Sequence, residues 1–139
     1  MRQRGNSIIE FALSLTVLVA ILAGIFQFGY SMYLYNGLAG TVANGARFAS
    51  QAAFDFQGQD YVRRVKNMVV YGSPAGGSEP LVPGLNPEQV DVRWTSDAAG
   101  IPQTVTVAIR DYRVDAVFTT YRFSNKPSVT MRFAGVYKS

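Results

Sequence analysis

Apolar and polar positions alternate along this chain with three different rhythms. From residue 11 to residue 26 the sequence reads FALSLTVLVAILAGIF, with no charge and no proline, and no charged residue stands between Glu10 and Arg47. A helix needs roughly 20 apolar residues at 1.5 Å each to cross the hydrocarbon of a bilayer, and this run, extended to Tyr30, supplies them. Residues 8–35 therefore read as continuous helix with a span at about residues 8–30. Past the span, Ala39, Ala43, Ala46, Ala49 and Ala53 recur at intervals of three and four, so the helix is expected to continue to about residue 53. Gly37, Gly40 and Gly45 each cost about 1 kcal/mol against Ala there, and a bend is expected near Asn36-Gly37.

A second helix is predicted from Gln59 or Asp60. Tyr61, Val65, Met68 and Val69 share one face, Arg63, Arg64 and Lys66 lie mostly on the other, and Gly72 stands where a helix C-terminus wants glycine. A loop follows at residues 73–87, rich in proline (Pro74, Pro80, Pro83, Pro87) and glycine (Gly76, Gly77, Gly84). Then the period becomes two. Val90, Val92 and Trp94 alternate with polar residues, as do Val105, Val107 and Ile109, and Val129, Met131 and Phe133; each set is a half-buried strand. Residues 97–102 form the first turn, Asn125-Lys126-Pro127 a later one, and residues 114–123 a fourth strand or an irregular crossing. One face of the sheet must be covered, and only the two helices are available to cover it. The fold class is α+β: a long N-terminal transmembrane helix packed by its outer half on a small antiparallel sheet, with a second short helix. Trp94 is expected in the core.

Composition narrows the chemistry. Charged residues make up 16% of the chain, against about 25% in ordinary soluble domains, and the deficit is concentrated in the apolar run. There is no Cys and no His, which removes thiolate nucleophiles, haem ligation, most transition-metal sites and the commonest general base. The nine acids form no spaced pair with an evident role, and phosphate, calcium and nucleophile-elbow motifs are missing from the sequence. An enzyme is not expected, nor a cofactor or metal. The formal charge of +4 falls to +2 if Arg2 and Arg4 are removed, too little to argue for nucleic acid.

The N-terminus carries the informative residues. Arg2 and Arg4 precede the apolar run, so this end should stay cytoplasmic while the rest crosses. Tyr30, Tyr33 and Tyr35 fit an interfacial aromatic belt on the far side and fit helix packing equally well. Ala12, Thr16, Ala20 and Gly24, spaced by four, form a small-residue strip that would let another helix approach closely. Glu10 is out of place: an unpaired carboxylate carried into a bilayer costs about 2–3 kcal/mol or more. Gly5 offers a remedy. Cleavage after it would free the amine of Asn6, and an amine and a carboxylate attract strongly in low dielectric, though desolvation takes back much of the gain.

The string Arg4-Gly5-Asn6-Ser7-Ile8-Ile9-Glu10-Phe11 resembles a type IV prepilin cleavage site: glycine, four residues, glutamate, aromatic. Gly24-Ile25-Phe26-Gln27-Phe28-Gly29, then Tyr33, then Asn44-Gly45-Ala46-Arg47-Phe48-Ala49 resemble the TadE-like pseudopilins of the tight-adherence (Tad/Flp) pilus system. The clear likeness covers residues 4–50. It implies a 1–5 leader removed by a prepilin peptidase, an N-terminal helix over 6–55 and an extracytoplasmic α+β domain over 56–139. It also implies a role as minor pilin or pseudopilin, set in the bacterial inner membrane and extending into the periplasm or a surface filament. Its partners would be other pilin or pseudopilin subunits, the peptidase, the inner-membrane assembly machinery and the lipid bilayer. Gly5 and Asn6 would be the processing site; Glu10, Phe11, Ala12, Thr16, Ala20 and Gly24 the assembly face; Gly29, Tyr33, Gly45, Ala46 and Arg47 the family motif. The competing reading is a static, single-pass envelope protein with a binding domain, in which Asn6 is never a terminus.

Overall fold

The computed structural model describes residues 2–55, 58–115 and 120–138. Its backbone is one 50-residue helix, α1 (Arg2–Gln51), on whose last third the remaining chain is folded. The helix is unbroken through Asn36-Gly37, where a bend was expected, and stops two residues short of the expected end. Its last carbonyls have no partners within the helix and find them elsewhere. The Ala52 amide donates to the Phe48 carbonyl (2.8 Å), Tyr61 Oη to the Ala49 carbonyl (2.5 Å) and the Ala134 amide to the Ser50 carbonyl (2.7 Å).

A short strand β1 (Phe54–Asp55) leads to α2 (Gln59–Tyr71), which buries Tyr61, Val65, Val69 and Val70. Gly72 ends it in the left-handed conformation (φ 71°), its amide bonded to the Met68 carbonyl; a side chain would be strained there. After the proline-rich loop and one 3-10 turn (Pro87–Gln89) come β2 (Val90–Ser96), β3 (Pro102–Ile109), the hairpin of β4 (Tyr112–Asp115) and β5 (Thr120–Phe123), then β6 (Ser128–Arg132) and β7 (Tyr137–Lys138).

The main sheet has the order β2-β3-β6, all antiparallel. Its first turn is held by Asp97, whose carboxylate accepts from the amides of Ala99 and Ile101, both at 2.9 Å. Because side chains alternate across a strand, Val105, Val107 and Ile109 of the central strand fall on one face, and all are fully buried. α1 lies against β3 and β6 and α2 against β2, so the two helices form one layer over this face. The opposite face is polar, with hydroxyl pairs Thr95–Thr104 (2.6 Å) and Thr106–Thr130 (2.8 Å).

Three details differ from the sequence expectations. Residues 114–123, expected as a fourth strand or an irregular crossing, lie in the two arms of the β4–β5 hairpin; residues 116–119 lie outside the described residues. A parallel pair, β1 with β7, joins the start of the domain to its end. Trp94 is not in the core: it is 37% exposed on the edge strand β2 and packs edge-on against Phe54, ring centroids 5.2 Å apart. An edge strand has a neighbour on one side only, so a large ring there covers the core rim instead of entering it. The core behind it is aromatic, with Phe54 tilted on Tyr61 at 4.9 Å and crossed by Phe133 at 6.2 Å.

Candidate functional site

The part of α1 that precedes the domain touches little else in the chain. Ile8, Phe11, Leu15, Val19, Leu22 and Phe28 are 46–70% exposed. From Asn6 onward the helix is long and apolar enough to cross a membrane; residues 6–30 alone extend about 36 Å at 1.5 Å per residue. Glu10 lies within this bare stretch, exposed, with no ion-pair partner among the described side chains. Phe11 follows it at 68% exposure. Gly5 and Asn6 lie in the first turns of the same helix, Asn6 exposed.

Ala12, Thr16, Ala20 and Gly24 are all exposed. Thr16 returns its hydroxyl proton to the Ala12 carbonyl (2.8 Å), so its polar group is satisfied within the helix and the strip presents little else than small apolar surface. A Cβ at Gly24 or Gly29 would meet nothing within 4 Å. Neither glycine is required by a neighbour in this chain.

The second block of motif residues behaves differently. Gly45 is buried against α2, where a Cβ would overlap the Val69 side chain; Ala46 is fully buried beside it. The missing side chain of Gly45 sets how closely the two helices pack at Val69. Arg47, on the other side of α1, is exposed and forms no ion pair among the described residues. Tyr33 projects outward at 72% exposure, while Tyr35 turns in to meet the Phe123 ring at 5.6 Å. The structure therefore gathers Gly5, Asn6, Glu10, Phe11 and the small-residue strip on the bare half of the helix. It places Gly45 and Ala46 in the domain core, more than 20 residues up the helix.

Two buried phenols tie the domain together. Desolvation pushes the Tyr61 hydroxyl well above the usual tyrosine range, so it stays protonated and donates to the Ala49 carbonyl. Burial, and then the nearness of Tyr30, raises Tyr112, which donates to the Pro83 carbonyl at 2.7 Å. Among the described residues no group of acids is placed to hold a metal ion. The sequence pattern did not mark the seam Leu34, Leu38, Val42, or the hairpin aromatics Tyr121 and Phe123 that lie beside α1. The spacing of the seam at four was the available signal, obscured because most residues around it on the helix are apolar or small and uncharged.

The class defined by these features is a small α+β domain carried on a single apolar helix that is long enough to span a bilayer. The family model described as TadE-like protein matches residues 5–47, the segment that bears the resemblance. No curated protein and no solved structure matches the chain.

Proposed function

We propose that this chain is a minor pilin or pseudopilin of a Tad-type pilus, inserted in the inner membrane with its N-terminus cytoplasmic and cut after Gly5 by a prepilin peptidase. The observation that carries the reading is the position of Glu10: a charged side chain with no described ion-pair partner, five positions beyond a glycine, on a helix half whose apolar surface this chain leaves bare. Such a carboxylate is costly in lipid unless paired. The Asn6 amine freed by cleavage on a neighbouring subunit pairs with it, neutralises both charges and fixes the axial register between subunits. Ala12, Thr16, Ala20 and Gly24 let the neighbouring helix come close, and Phe11 packs beside the charge pair. The partners are other pilin subunits, the peptidase and the assembly machinery of the inner membrane. The function is structural.

The test is a Glu10→Ala variant in the native host. Processing after Gly5 and the cellular level of the chain stay near those of the wild type, while incorporation into the pilus system, followed by co-purification and by pilus counts, is lost. Pili and co-purification at wild-type levels in that variant contradict the register role. A Gly5→Ala variant accumulates the uncut form.

A further inference from the structure

The β4–β5 hairpin is not used by the assembly reading above. Its ladder pairs Tyr112 with Phe123, Arg113 with Arg122 and Val114 with Tyr121. Alternation across the strands gives the hairpin two unlike faces. Tyr112, Val114, Tyr121 and Phe123 form the apolar one; Tyr112 and Val114 are buried, whereas Tyr121 is 45% exposed. Arg113 and Arg122 stand directly opposite each other on the other face, both exposed. Like charges in that position repel. The ion pairing available to them is slight: Asp111 is 3.9 Å from Arg122 and no ion pair forms at Arg113 among the described residues. Asp115 shares this face but accepts a hydrogen bond from Thr120 at 3.0 Å.

The apolar face meets the helix beside it at Tyr35, whose ring lies 5.6 Å from that of Phe123, and stands open further down. Between Tyr121 and Phe123 on one wall and Gly24, Phe28 and Met32 of α1 on the other runs an open groove of about 600 Å³. That is the size of a small-molecule site, and the bare Cα of Gly24 widens it. Gly24 and Phe28 belong to the apolar run, so with α1 in a bilayer the groove opens at the boundary between acyl chains and headgroups on the domain's side. Aromatic side chains and arginines, whose stems lie along apolar surface while their heads reach polar groups, are suited to that boundary.

We propose that the β4–β5 hairpin is a foot seated in the lipid leaflet: acyl chains of anionic phospholipid fill the groove, and Arg113 with Arg122 hold headgroup phosphates. The inference rests on the membrane-spanning reading of α1. It makes the domain lean on the bilayer instead of standing free on its helix, and fixes the domain's tilt before any subunit partner is met.

The absence of cysteine makes the test direct. Phe28→Cys, Tyr121→Cys and Val136→Cys variants of the full chain, each carrying one nitroxide, are reconstituted in phosphatidylcholine vesicles containing phosphatidylglycerol. Labels at 28 and 121 meet dissolved oxygen and are shielded from a water-soluble nickel chelate, while the label at 136 meets the chelate. A water-exposed label at 28 overturns the spanning reading; a lipid-buried label at 28 with a water-exposed one at 121 overturns the foot alone. Lipid retention by the unlabelled protein in native mass spectrometry is the second arm. The wild type keeps phosphatidylglycerol over phosphatidylcholine by about tenfold or more, from two arginines at an anionic surface. The preference falls to near unity in the Arg113→Gln, Arg122→Gln variant, and added inorganic phosphate leaves it unchanged. A preference in that variant as large as the wild type's, or loss of retained lipid to free phosphate, contradicts the headgroup role.

Discussion

The two halves of α1 are made of the same kinds of residue and meet opposite fates. Below Tyr30, Leu13, Leu15, Leu18 and Leu22 are 46–65% exposed; above it, Leu34, Leu38, Val42, Ala46 and Ala49 are exposed by 4% or less. Helix propensity does not distinguish the halves, since both are one continuous helix. The difference lies in what the rest of the chain supplies. The upper half receives a sheet face and α2. The lower half receives neither from the described residues, and its apolar surface stays exposed. Hydrophobicity states that a surface tends to be covered; it does not state by what, and in this molecule the chain itself covers the upper half alone.

That contrast gives a graded set of tests. The largest effect belongs to Leu38, fully buried in the seam. Leu38→Ala should destabilise the domain by about 2–5 kcal/mol through lost contacts and a cavity, whereas Leu15→Ala should leave domain stability unchanged. Thermal or denaturant unfolding in a detergent micelle, followed by near-ultraviolet circular dichroism, separates the two. A Leu15 effect of the same size would erase the distinction between the halves.

Glycines on the two halves of α1 differ in the same way. Gly45→Ala forces a methyl group into Val69, a β-branched residue on a packed helix, and overpacking of that kind costs about 1–3 kcal/mol. Gly24→Ala meets open space and gains about 1 kcal/mol of helix propensity. The two changes should therefore move the unfolding midpoint in different ways, down at Gly45 and not down at Gly24. Tyr61→Phe removes the donor to the Ala49 carbonyl at the end of α1 and should cost about 1–3 kcal/mol, the usual price of an unsatisfied buried acceptor.

The smallest effect is at Asp60, exposed at the start of α2, where a hydrogen bond from Arg63 holds its carboxyl below the usual carboxylate range. A lowered folded-state value means that its contribution is present above the unfolded-state value of about 3.9 and is lost as pH falls through the folded one. Asp60→Asn should lower the melting midpoint slightly at neutral pH, and the gap between variant and wild type should close in acid. A gap that widens in acid would reverse the assigned sign.

The sequence disclosed the parts of this fold whose signals were unambiguous. The long helix, the α2 face built on Tyr61, Val65 and Val69, the stop at Gly72 and the three period-two strands are all where the pattern put them. It misled at Trp94 because an aromatic residue at an inward position reads as core whether its strand is central or at the edge, and strand order is not written in periodicity. It blurred residues 114–123 because Val114 and Tyr121 alternate with arginines on both arms, which looks like one strand from either end. The small size of Gly45 was visible; that Val69 is what it accommodates was not, because the contact joins residues on two helices. Within the candidate site, the Gly5–Glu10 spacing was legible because it is a local string. The groove under the hairpin was not, since it depends on where β5 returns to the helix.

A pilin-like subunit cut after Gly5 begins at Asn6, and a static envelope protein begins at Met1. Intact-mass and N-terminal peptide measurement of the protein taken from its own membrane should find a terminus at Asn6, with the first five residues gone and Glu10 as the fifth residue of the mature chain. A native molecule that still starts at Met1 would contradict the pilin reading.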